Sequence, residues 1–278
     1  LSSFARDILQ TRQHAMFSNN QRPGSRALRI RGAGRICARG IVLGLLCTSV
    51  SGADLNWEDV ESRIQYGYYT EDARSVRNVV ELLAPGEGAD ATRSYYAGLA
   101  NYRLAQLTAG SDKSRAKDAA NACVSRLDEA LRDRKDFADA LALQSACLDE
   151  VATLSAWKTP FAASRSGSQI EKARHLAPRN PRVLLLDAAG LYERPNSTAA
   201  DKASALNGFR RAAEAFESER QEAAHTPGWG AAEAYVYVAR CALDRGAALE
   251  ARDALEHALL IAPEFAQARR LMARITSG

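Results

Sequence analysis

Catalysis needs reactive side chains brought together, and in this chain of 278 residues they are scattered. The four histidines are His14, His175, His225 and His257, and no two of them have the spacing of an HxH or HExxH metal motif. The five cysteines, at positions 37, 47, 123, 147 and 241, form no CxxC. Acid pairs such as Glu58-Asp59 and Asp149-Glu150 are adjacent in sequence. On a helix neighbours point to different azimuths, so these are poor acid–base partners. No glycine-rich phosphate loop and no GxSxG nucleophile turn occurs in a fitting context. The sequence therefore predicts no catalytic residue, no metal site, no cofactor and no enzyme activity.

The charge is unevenly placed. Residues 1–53 hold eight arginines against one acid, Asp7, so the overall +4 sits at the amino end and the remainder is slightly acidic. Nucleic acid would need a basic patch on the folded part, and none is evident. Within the amino end, the arginine-rich run 25–40 leads into IVLGLLCTSV (41–50) and then into the small residues Ser51 and Ala53. Basic region, short apolar core, small residues: that order predicts an export signal cleaved after Ala53. The apolar run is too short to span a bilayer, which takes about 20 residues. Leu46 ahead of Cys47 argues against a lipoprotein, and no Arg-Arg pair precedes the apolar core. Because the chain opens on Leu, translation is expected from Met16. The expected destination is the periplasm or the exterior, with no membrane span in the mature chain.

From Asp54 onward the periodicity predicts helices joined by short turns. Trp57, Val60, Ile64 and Tyr68 recur at spacings of three and four. Thr70 is the expected cap of a second helix over 71–83, before the break Pro85-Gly86-Glu87-Gly88. Helices are expected over 92–107, 114–132, 137–156, 159–177, 180–193, 201–224, 232–246, 248–262 and 264–275. No segment alternates like a strand, so the fold class is all-α, in antiparallel pairs. The turn after the fourth helix centres near Lys135, twelve residues from both Cys123 and Cys147. Both would then sit about 18 Å from that turn, at one level of the pair. A disulfide closes if their Cα atoms lie within about 7 Å. The alternative is two buried free thiols, the commoner fate of buried cysteines.

The stretch LEARDALEHALLIAPEF (249–265) shows what the helices need from each other. Ala251, Ala254 and Ala258 remove bulk along one stripe with Leu255, so a neighbouring helix can approach within about 8–10 Å. Pro263 is expected to open the next helix. Ile170, Ala173 and Pro178 repeat the spacing of Leu255, Ala258 and Pro263. Residues 232–265, with Tyr235, Val238, Ala239, Ala242, Gly246, Ala251, Leu255, Ala258 and Pro263, resemble the tetratricopeptide repeat (TPR) family. The match weakens over 181–217, 138–178 and 91–135. The segments NPRVLLLDAAGLYERP (180–195) and PGWG (227–230) resemble a secreted bacterial subgroup of such proteins.

That resemblance implies a TPR-like α-solenoid over 91–278, preceded by an extra helix pair over 54–90. It implies a concave groove lined by the first helix of each pair. The candidates for that wall are Tyr95 and Tyr102, then Asp139, Ala142 and Ala146, then Arg182, Leu185, Ala189 and Tyr192, then Glu233, Val236 and Arg240. Mixed charge among tyrosines suits a peptide or protein ligand. The function expected is a protein-interaction scaffold, and the alternative is a self-associating structural factor of the envelope.

Overall fold

A computed structural model describes residues 55–84, 90–155, 160–222 and 227–277; the side chains of 160 and 220–222 are not described. All of these lie within one compact unit, Ala53–Gly278. The export segment with Ala53, Cys37 and Cys47, and the break at 85–88, lie outside the described residues.

Helices begin where a short polar side chain can take the first orphan N–H groups. Asn56 accepts from the backbone of Glu58 and Asp59 and starts α1 (Trp57–Tyr69). Asp72 does the same for α2 (Ala73–Leu82), Asp90 for α3 (Ala91–Thr108), Asp112 for α4 (Lys113–Asp133) and Asn180 for α7 (Pro181–Glu193). Between and after these come α5 (Ala138–Leu154), α6 (Pro160–Leu176), α8 (Ala199–Glu222), α9 (Ala231–Asp244), α10 (Ala248–Ile261) and α11 (Ala266–Ser277). Among the described residues there is no strand. The helices pack as the hairpins α3–α4, α5–α6, α7–α8 and α9–α10, each also touching the next, with α1–α2 ahead and α11 on α10.

Two expected helix starts are corrected. Thr70 ends α1, its hydroxyl donating to the Tyr66 carbonyl, and Asp72 is the cap of α2. A carboxylate two positions on takes two N–H groups, and the chain reaches it through Glu71 at φ 58°. Pro263 lies in a turn, with α11 starting at Ala266. Ala262 and Phe265, each 2% exposed, pin that turn into the core. Pro178 sits likewise in the turn after α6, and Pro181 is the residue that opens the helix beyond it.

Small side chains set the contact between α9 and α10. Ala239, Ala251, Leu255 and Ala258 are all fully buried, and Gly246 takes the left-handed backbone (φ 73°) that turns one helix into the other. Before α9, Gly230 has φ 112°, and a Cβ there would come within 2.6 Å of the Phe216 ring. The turn therefore needs glycine twice over, for backbone and for space. The neighbouring Trp229 is thereby driven into the core, at 2% exposure.

Cys123 on α4 and Cys147 on α5 form a disulfide with Cα atoms 6.1 Å apart. Cys241 is a buried free cysteine, and burial raises its thiol pKa to about 11, which leaves it inert. The bridge spans 24 residues and ties two successive hairpins together. Replacing both Cys123 and Cys147 by Ala should lower the unfolding free energy by about 3 kcal/mol. Urea denaturation of the two proteins side by side measures this, and equal midpoints would refute it.

Candidate functional site

The first helices α3, α5, α7 and α9 meet along their inner faces, and two buried charge networks hold them there. In the first, Arg103 on α3 pairs with Glu233 on α9, at 3% and 5% side-chain exposure. Helix α1 completes this network. The Tyr69 hydroxyl donates to Glu233 at 2.7 Å, and the Gln65 amide donates to Glu233 and to Tyr69, each at 3.2 Å. The Arg103 guanidinium lies 3.9 Å above the Tyr68 ring and 5.2 Å from Trp229. Burial, and then the Glu233 charge, hold the Tyr69 phenol well above its ordinary pKa, so it stays a donor.

In the second network Arg182 on α7, 1% exposed, donates through Nε to Asp139 on α5 at 2.6 Å and through its two Nη groups to Glu219 on α8. Asn180 donates to the other oxygen of Asp139 at 3.0 Å. Between the networks, the Trp229 indole donates to the Tyr95 hydroxyl at 2.8 Å, and Glu61 on α1 accepts from the backbone of Gly228 at 2.7 Å.

These networks correct the groove expected from the sequence. Tyr95, Ala142, Arg182, Leu185, Glu233 and Val236 are at most 4% exposed, so they have almost no surface to offer a ligand. Asp139 is 13% exposed and committed to Arg182. Helix α1 and the PGWG turn cover the middle of the inner face, a placement that repeat periodicity does not encode. Tyr102, Ala189 and Tyr192 are buried up to their tips, and Ala146 and Arg240 remain partly open.

The open part lies toward the far ends of the first helices. There Arg240 on α9 pairs with Glu193 on α7 at 2.6 Å and lies about equally close to the Tyr192 and Tyr237 rings, 4.9 and 5.0 Å. Tyr237 stacks on Phe209 with centroids 4.5 Å apart. Tyr68, half-buried, and Tyr102 lie within electrostatic reach of Tyr237 and of Glu150 on α5. Burial first, then Glu193 and Asp149, raise the Glu150 carboxyl to about 7. Sequence reasoning missed Gln65, Tyr68, Arg103, Trp229 and Tyr237, and set Glu150 aside as half of an acid pair. The available signal was a polar residue on an apolar stripe, as with Gln65 beside Ile64 and Arg103 beside Tyr102.

No protein-family model and no curated protein matches the chain. Among solved structures it is similar to the HusA haemophore from Porphyromonas gingivalis, with TM-score 0.55 and 18% identity over 69% of this chain and 96% of that one. It is also similar to TTC0263, a thermophilic TPR protein of Thermus thermophilus, with TM-score 0.51 and 13% identity over 80% of this chain and 100% of that one. Both likenesses are of fold, an array of helix pairs. No helix among the described residues is long and apolar enough to cross a membrane.

Glu233→Ala should cost about 3–5 kcal/mol, because it strands a buried guanidinium. Replacing both partners, Arg103→Met with Glu233→Leu, should recover most of that loss; a double variant no better than the single one would contradict the pairing. Glu150 carries the opposite sign. Its folded pKa is raised, so it is neutral in both states well below pH 4.5, and its ionisation destabilises the fold increasingly as pH rises to about 7. Glu150→Gln should therefore stabilise the protein by about 1–2 kcal/mol at pH 8 and by nothing at pH 4. Thermal melts of both proteins across that range test it, and a pH-independent difference would count against it.

Proposed function

We propose that this chain is a TPR-class protein-interaction scaffold, non-enzymatic and exported, which binds a peptide or protein segment at the open end of its inner face. The observation that carries this is the partly open arrangement of Tyr68, Tyr237 and the Arg240–Glu193 pair above a middle closed by buried ion pairs. Aromatic rings supply contact area at low entropic cost, and the ion pair sets register. The Cys123–Cys147 bond suits an oxidising compartment.

A second reading rests on a cavity of about 500 Å³ lined by Trp57, Tyr95, Tyr96, Arg134, Phe137 and Asn180 among others. That size suits a small ligand, and the haemophore likeness raises haem. The donor set argues against it. The described lining holds no His, Cys or Met, and the hydroxyls of Tyr95 and Tyr96 are taken by Trp229 and Glu61. This reading reduces to a flat organic molecule stacking on Trp57 and Tyr96, which are parallel to within 7°. Self-association would use Leu249 and Leu260, each 80% exposed on α10, and a monomeric mass by light scattering would remove it.

Panning a random peptide library on the mature chain is the direct test. The selected peptides should bind with about micromolar affinity and weaken about tenfold or more against Tyr237→Ala. They should be indifferent to Leu249→Ala on the outer face. Binding untouched by Tyr237→Ala would overturn the site.

A further inference from the structure

The cavity of about 500 Å³ opens where the inner helices begin. Its lining takes Trp57 from the first turn of α1, Thr92 from that of α3, Ala138 and Asp139 from that of α5, and Asn180, which caps α7. One wall is a continuous run of rings. Trp57 stacks on Tyr96 with centroids 5.4 Å apart, Tyr96 meets Tyr95 edge-on at 5.3 Å, and Tyr95 meets Phe137 at 4.8 Å. The Arg134 guanidinium ends the run, 3.3 Å over the Phe137 ring.

The polar groups around Phe137 are donors that lack acceptors. Asn56, Asp90 and Asn180 cap α1, α3 and α7, but α5 follows Phe137 with no capping side chain. Ala138 and Ala140 are 8% and 0% exposed. Among the described residues, nothing accepts from the amide groups of Ala138, Asp139 and Ala140. Buried N–H groups are nearly always paired, and an open helix start carries partial positive charge. The Tyr95 hydroxyl, on a residue 1% exposed, accepts from Trp229 at 2.8 Å, while its own proton has no acceptor among the described residues. Arg134 makes no ion pair among them either. Its face lies on Phe137, which leaves the N–H edges of the planar guanidinium for an anion. Of the two acids in the lining, Asp139 is committed to Arg182 and Asn180, and Asp136 is exposed, where water and salt screen it.

We infer that this cavity binds a planar aromatic carboxylate. The ring packs along the aromatic wall, and the carboxylate is held around Phe137 by the open start of α5, the Tyr95 hydroxyl and Arg134. The inference rests on the small-ligand reading above and is independent of peptide docking at the open end of the inner face. Rings contribute contact area, while a helix start and a guanidinium offer charge-favoured donors to both oxygens of one carboxylate. A carboxamide of the same shape brings one acceptor in place of two and no charge.

The test titrates the full chain with naphthoate and with its neutral amide, naphthamide, followed by calorimetry and backbone-amide NMR. Naphthoate should bind about tenfold more tightly than naphthamide, and should move the amide protons of Ala138, Asp139 and Ala140 downfield. Naphthamide should perturb the Trp57 indole and leave those amides in place. Arg134→Gln, at an exposed side chain, should cut the preference severalfold, and Trp57→Ala should weaken both probes alike. Equal affinity for the two probes, a preference untouched by Arg134→Gln, or naphthoate shifts that bypass the α5 amides would overturn the carboxylate site. Equal affinity with shifts around Trp57 leaves the flat-molecule reading standing without it. If neither probe binds, both fall, and peptide docking through Tyr237 is unaffected.

Discussion

The ion pair between Arg103 and Glu233 is the constraint around which the rest is arranged. It joins residues 130 positions apart, on α3 and α9, and at such low exposure neither charge can be left alone. A buried ion pair contributes little net stability against well-packed apolar groups, yet breaking it is expensive. Its effect is therefore on specificity: only an arrangement that brings α3 against α9 satisfies both charges. Gln65 and Tyr69 saturate the remaining valences of Glu233 and so draw α1 into the same arrangement.

From that closure follows the division of the inner face. The middle is filled by α1, by Trp229 and by the two charge networks, and among the described residues Tyr68, Tyr237 and Arg240 stay partly open beyond it. Glycine at 230 makes the filling possible, because it lets the chain turn sharply enough to send Trp229 inward while α9 starts at once. The disulfide acts elsewhere, between α4 and α5, and ties the α3–α4 hairpin to the α5–α6 hairpin away from the two charge networks. Between α9 and α10 the contact is made by alanines around Leu255, whose small size allows close backbones without any special geometry.

Most of the fold was legible because helices are local. The observed boundaries fall within a few residues of those read from periodicity, and the misplaced starts, at Thr70 and Pro263, are both turns where a residue farther along wins. Aspartate at 72 offers a better acceptor than Thr70, and Phe265 anchors the chain beyond Pro263. The groove residues were a different matter. Tyr102, Tyr192 and Arg240 were expected on the groove wall; the two tyrosines are buried up to their tips and Arg240 is partly open. Arg182, Glu233 and Tyr95 lie on the expected helix faces but are covered, since a face says nothing about what packs on it.

The division has a physical basis. Hydrophobic period, capping residues and the alanine stripes depend on neighbours three and four positions away, so the order of residues alone dictates eleven described helices in antiparallel pairs. Which inner residues stay open depends on contacts between segments more than a hundred positions apart, such as Gln65 with Glu233 and Glu61 with Gly228. The energy of those contacts exists only once the hairpins have stacked. Tertiary packing therefore decided that Arg103 would be paired and buried, and that Glu150, whose carboxyl burial raises, would have no ion pair among the described residues.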